Sequence, residues 1–245
     1  MTTTGSVALV SGVGRRDGLG FEVCRQLGAR GFVVLATART EERAGPLAAA
    51  LRDLGIDARA LGLDITSAPS RRAAIDLVRT TFGKLDVLVN NAAALGRMGE
   101  TVAEAHIDEA RAALETTVLG TWAITQEMLP LLRASAHPRI VNVSSGAGSH
   151  GDPAFGLRSK NAMGPSYSVA KAALNALTEA LATELAGTGV LVNAVCPGFT
   201  ATFPGAEAMG ARPVRDGAAS IVWGALLPDG GPTGGFFRDG KELPW

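Results

Sequence analysis

The chain has 245 residues, with 23 basic and 23 acidic side chains, a formal charge of zero and 47% apolar residues. That composition belongs to a globular protein with a sizeable buried core. It excludes a disordered chain, and a neutral chain offers no overall field for nucleic acid or an anionic membrane.

Val7–Val10 reads as a strand, followed by a helix over 19–30, a strand over 32–37 and a helix over 40–54. Thr40 is the expected N-cap of that helix, and Gly55 lies past its end. A strand over 58–63, a helix starting near Ser67, a strand over 85–90 and a long helix over 105–133 come next. The last part gives a strand over 139–144, a helix over 167–186, a strand over 190–195, a helix over 214–226 and a short strand over 235–237. The strand runs VALV, FVVLAT, LDVLVN and RIVNV are apolar throughout, as in parallel sheets covered by helices on both faces. One α/β domain over 1–245 is expected, with ligands at the carboxyl ends of the strands.

Two cysteines, Cys24 and Cys196, read as buried small hydrophobes, and the scattered histidines His106, His137 and His150 form no metal cluster. Neither a basic, apolar leader nor a run of ~18 apolar residues is present. A soluble cytoplasmic protein is expected.

The 31 glycines amount to about 13% of the chain, against a usual ~7%. Several fall in Ser11-Gly12-Val13-Gly14-Arg15-Arg16-Asp17-Gly18-Leu19-Gly20, after the first strand and at the start of a helix. Such a loop turns tightly and lets a pyrophosphate approach backbone amides at the positive end of the helix. At the end of the second strand, where an NAD site would carry an acid for the ribose 2′-hydroxyl, Arg39 stands instead, with Arg43 one turn later. With Arg15 and Arg16 they make a corner suited to the 2′-phosphate of NADP(H). Tyr167, the only tyrosine, and Lys171 lie at i and i+4 on one helix face. A neighbouring ammonium is expected to lower the phenol toward the working range for acid–base chemistry.

Taken in order, Gly12…Gly18-Leu19-Gly20, Leu63-Asp64-Ile65, Asn90-Asn91-Ala92, Val143-Ser144-Ser145, Tyr167-Ser-Val-Ala-Lys171 and Cys196-Pro197-Gly198 resemble the short-chain dehydrogenase/reductase family, most of all its NADPH-dependent carbonyl reductase branch. The resemblance implies a doubly wound Rossmann-type fold with a seven-stranded sheet in the order 3-2-1-4-5-6-7. It implies Ser145, Tyr167 and Lys171 as the catalytic set. It places the cofactor NADPH against Gly12, Gly14, Arg15, Arg16, Gly18, Leu19, Arg39, Arg43, Asp64, Ile65, Asn91, Ala92, Ala93, Tyr167, Lys171, Pro197, Gly198 and Thr200, with no metal. Relatives pair through their long helices, so a homodimer, a homotetramer or a monomer all stay open.

Three departures from the family pattern stand out. The glycine loop is two residues longer than usual; Thr117 occupies the place of an asparagine that holds a relay water; and Ser145 and Tyr167 are separated by an extended segment, 146–166, containing His150, Asp152, Phe155, Arg158, Lys160 and Met163. That segment is expected over the active-site mouth. The expected function is NADPH-dependent reduction of a ketone or aldehyde. The alternatives are alcohol oxidation with NAD(P)⁺, or a silent dinucleotide sensor.

Overall fold

A computed structural model describes residues 5–97, 99–159 and 163–245. Among these residues, eight strands form one sheet in the order β3-β2-β1-β4-β5-β6-β7-β8. These are β1 (Val7–Val10), β2 (Val33–Ala38), β3 (Ala58–Gly62), β4 (Val87–Asn90), β5 (Arg139–Val143), β6 (Leu191–Val195), β7 (Phe236–Arg238) and β8 (Lys241–Glu242). Every neighbouring pair is parallel except β7–β8. The seven-stranded expectation therefore holds in order and falls one strand short. The missed strand had a local signal: Asp239 and Gly240 sit at φ 53° and 73°, the left-handed pair that a two-residue hairpin turn requires and that Asp-Gly supplies.

Among the described residues, seven α-helices cover the sheet: α1 (Leu19–Gly28), α2 (Glu41–Arg52), α3 (Ala68–Phe82), α4 (Ile107–Leu114), α5 (Thr121–Arg133), α6 (Pro165–Glu184) and α7 (Val214–Ala225). Successive strand side chains point to opposite faces, and β1 divides its residues accordingly. Val7 and Leu9 join a core with α3, α5 and α6 side chains such as Val78, Ile124, Met128 and Leu174. Ala8 and Val10 join a second core with Cys24 and Leu27 of α1, Leu51 of α2 and Ile221 of α7. Burial on both faces explains why the strand runs lack alternation.

One expectation keeps its place and another is corrected. Thr40 sits at the N-cap of α2, but its side chain makes no capping bond. The long helix over 105–133 is α4 and α5 joined through a π-helical turn, Glu115–Gly120, a distortion that occurs often near functional sites. Order reverses at β1, which pairs β2 on one side and β4 on the other, opening a crevice at their carboxyl ends. Among the described residues, no helix is long and apolar enough to cross a membrane.

Candidate active site

Tyr167 and Lys171 ride on α6, which Pro165 opens with its preset φ. Ser145 follows β5 and caps a single 3-10 turn, Gly146–Gly148, its Oγ accepting from the Ala147 amide at 3.2 Å. The Ser145 hydroxyl hydrogen-bonds the Tyr167 hydroxyl. Lys171 is 2% exposed; its Nζ donates to the Val143 carbonyl at 2.6 Å and lies 5.6 Å from the centre of the Tyr167 ring. The structure thus brings Ser145, Tyr167 and Lys171 together.

The electrostatics differ from expectation in sign. Burial pushes the Tyr167 phenol up to about 12, with the Ser145 hydrogen bond only partly opposing it. Burial also pulls Lys171 down to about 8. The ammonium expected to lower the phenol is itself desolvated and donates to the Val143 carbonyl, and removal from water dominates both shifts.

On the other side of the crevice, Gly12 holds φ 72°, and a Cβ there would stand 2.7 Å from the Ala92 Cα. This close approach brings the glycine loop against the end of β4. The Ser11 hydroxyl accepts from the amides of Asn91 and Ala92, both at 3.0 Å, and Asn91 Nδ2 donates to the Ser11 carbonyl at 2.8 Å. Gly18 precedes α1 without any side-chain cap, and nothing lies within 4 Å of the Cβ position of Gly14. An open glycine cradle over an uncapped helix start fits the pyrophosphate of a dinucleotide. Arg16, Arg39 and Arg43 stand exposed, and Arg39 helps hold the Asp64 carboxyl below its usual range, after the larger effect of the Thr66 hydrogen bond.

Other predicted site residues have local partners. Arg15 donates to the Thr202 carbonyl and pairs with Asp17, so it reaches toward the segment after Pro197. Asp64 Oδ1 accepts from the Thr66 amide and hydroxyl at 3.0 and 2.7 Å, and Ile65 packs in the core. Thr200 donates to the carbonyls of Pro197 and Gly198, both at 3.1 Å. Thr117 is fully buried in the π-turn and accepts from the Ala94 amide at 3.4 Å. Of the segment 146–166, residues 160–162, Lys160 among them, lie outside the described residues. His150 is exposed. Phe155 meets Phe199 at 6.3 Å between ring centres, and Phe199 meets Phe203 at 6.4 Å, so both loops contribute to one aromatic cluster.

Sequence reasoning missed a buried polar chain beneath the site. Asn90 Nδ2 donates to Asn142 Oδ1 at 2.8 Å, Asn142 Nδ2 to Thr178 at 2.9 Å, and the Ser144 hydroxyl to Asn175 Oδ1 at 2.5 Å. Asparagines inside otherwise apolar strands, as in RIVNV, were the available signal, since buried amides need partners.

Comparison with known proteins agrees with this geometry. The short chain dehydrogenase family model matches residues 6–209. Short-chain dehydrogenase/reductase 1 of Saponaria officinalis is 32% identical over 288 aligned positions, covering 95% of this chain and 94% of that protein. Salutaridine reductase from Papaver somniferum superposes with a TM-score of 0.78 at 28% identity, covering 96% of this chain and 99% of that one. A variant actinorhodin polyketide ketoreductase solved with NADPH superposes at 0.81 and 28% identity, covering 98% and 97%. The chain is thus a member of the short-chain dehydrogenase/reductase family and an oxidoreductase.

Proposed function

We propose that this enzyme reduces a ketone or aldehyde to an alcohol with NADPH, Tyr167 giving the proton. The observation that carries this reading is the meeting of Ser145, Tyr167 and Lys171 at the carboxyl end of β5, with an open glycine cradle at the end of β1. Burial pushes the Tyr167 phenol up, which favours the protonated form that a reductive step uses as its acid. Bound NADPH supplies the hydride. The Ser145 hydroxyl, beside Tyr167, turns its one hydrogen to the carbonyl oxygen and stabilises the charge that develops there. Tyr167 protonates that oxygen. Lys171, one turn along α6, holds the nicotinamide ribose and adds positive charge to the site. Salutaridine reductase and the ketoreductase solved with NADPH, both similar in fold, support the reductive direction.

Arg39, exposed just past β2, and Arg43, exposed on the first turn of α2, read the 2′-phosphate; Arg16 extends the same corner. Gly12, Gly14, Gly18 and Leu19 take the pyrophosphate, Asp64 and Ile65 the adenine side, and Asn91, Ala92 and Ala93 the ribose. Pro197, Gly198 and Thr200 flank the carboxamide. The described parts of the extended segment, 146–159 and 163–166, form one wall of the substrate mouth, and the cluster of Phe155, Phe199 and Phe203 makes that mouth apolar. The absence of a membrane-spanning helix among the described residues is consistent with a cytoplasmic setting. Exposed Leu119, Trp122 and Val169 on the long helices favour pairing of copies.

The test is the 340 nm absorbance of NADPH mixed with a panel of ketones and aldehydes. Absorbance falls if the reading holds. Tight NADPH binding without turnover across the panel would replace the reductase with a dinucleotide sensor. Arg39→Ala is expected to weaken NADPH binding about ten- to hundredfold while sparing NADH, because a charged hydrogen bond to phosphate is lost. Equal weakening of both would mean that Arg39 does not meet the phosphate. Lys171 is positive below about 8 and neutral above it. Reductive kcat/KM should therefore stay level on the acid side and decline as pH rises through that value, Tyr167 remaining protonated throughout. A profile level to pH ~10 would remove Lys171 as the titrating group.

A further inference from the structure

Behind the catalytic turn lies a partly buried charged knot that the reaction above does not use. Cys196, just past β6, is 2% exposed. Its Sγ accepts from the Gly146 and Gly198 amides, both at 3.3 Å, and from Arg238 Nε and Nη2 at 3.4 and 3.2 Å. Arg238 Nη2 also donates to Asp152 Oδ2 at 3.0 Å. Asp152 Oδ1 accepts in turn from the amides of Ala154 and Phe155 at 2.8 and 3.1 Å. Gly146 directly follows Ser145, Gly198 directly follows Pro197, and Asp152 lies in the extended segment. One guanidinium from strand β7 therefore ties the two segments that border the site, 146–152 and 196–198. The fit is close: a Cβ on Gly146 would stand 2.4 Å from Asp152 Oδ2 and 2.7 Å from Arg238 Nη2.

A buried ion pair is a weak source of stability, because desolvation offsets most of its attraction. Its value here is orientation. The planar fork of arginine addresses two acceptors in fixed directions, which the single point charge of lysine does not do.

We infer that Arg238 is a positioning residue, which through Cys196 and Asp152 holds the Ser145 turn and the Pro197-Gly198 loop in register with Tyr167. The inference rests on the reading of Ser145 and Tyr167 as the reacting pair. It touches no substrate atom; it acts through the backbone of the loops it ties.

The test compares Arg238→Met, Arg238→Lys, Cys196→Val, Cys196→Ser and the Arg238→Met/Cys196→Val double variant in the full chain. Two measurements are made: amide hydrogen exchange, and NADPH-dependent reduction of 2-tetralone. In Arg238→Met, exchange should quicken in 145–156 and 196–200 while β1, β2 and α1 keep their protection. The kcat should fall by up to about a hundredfold, since a displacement near 1 Å costs that much, with NADPH affinity nearly unchanged. Arg238→Lys should be only partly active. Cys196→Ser, which keeps an acceptor, should retain most turnover, whereas Cys196→Val should resemble Arg238→Met. The double variant should be no worse than the worse single one, as members of one network are not additive.

Unchanged exchange in both segments overturns the brace whatever the turnover shows. Exchange that rises everywhere, with kcat and NADPH affinity falling together, reduces Arg238 to an ordinary structural ion pair and also overturns it. Additive losses in the double variant sever the proposed link through Cys196. Loosening confined to the two segments, in a protein that turns over no ketone, would support the brace and retire the reductase reading instead.

Discussion

Tyr167→Phe is expected to retain NADPH binding and to lose about 10²- to 10⁴-fold in ketone reduction, the usual contribution of a positioned acid. The substitution removes one oxygen and leaves the ring in place. Lys171 does not depend on that oxygen, because its Nζ donates to the Val143 carbonyl at 2.6 Å. Ser145 keeps the Ala147 amide as a partner. The expected loss is therefore chemical rather than architectural, and it separates cleanly from folding and cofactor binding. A fluorescence titration with NADPH, paired with turnover at saturating cofactor, makes the measurement. Substantial residual turnover would assign the proton to another group.

Gly148→Ala is expected to produce the largest structural effect. Gly148 closes the turn that begins at Ser145, and an added Cβ would stand 2.5 Å from the Lys171 carbonyl carbon and 2.6 Å from the Ala172 nitrogen. Those are backbone atoms in the middle of α6 and have no rotamer by which to move aside. The turn must lift away from the helix, carrying Ser145 away from Tyr167. Overpacking of this kind costs roughly 1–3 kcal/mol, and a shift near 1 Å at the reacting groups costs about a hundredfold in rate. Gly14→Ala is the control. Nothing lies within 4 Å of its Cβ position, so its thermal midpoint should stay close to that of the wild type. If Gly148→Ala has wild-type stability and turnover, the turn does not need its close seat on α6.

The contrast between these residues shows where local reasoning stops. The alternation of apolar runs and helical periods determined the parallel, doubly wound domain, because parallel strands require crossovers and both faces of the sheet are buried. The four-residue spacing of Tyr167 and Lys171 put both on one face of α6, and the glycines after β1 marked the loop. Each is a feature of neighbouring residues, so the chain alone carried it. Asp239-Gly240 was also local, and the short strand β8 could have been read from it.

Only the tertiary structure decided the rest. The sign of the Tyr167 shift depends on burial, which exceeds the opposing hydrogen bond from Ser145. Arg15 turns toward Thr202 because two loops separated by most of the chain meet there. The tight seat of Gly148, the partners of Thr117 and the joining of Asp152, Cys196 and Arg238 likewise arise from long-range approach. Periodicity and turn chemistry act over a few residues and are written in order along the sequence; burial and close packing are set by which distant surfaces come together, and these determine the charge and alignment of the catalytic groups.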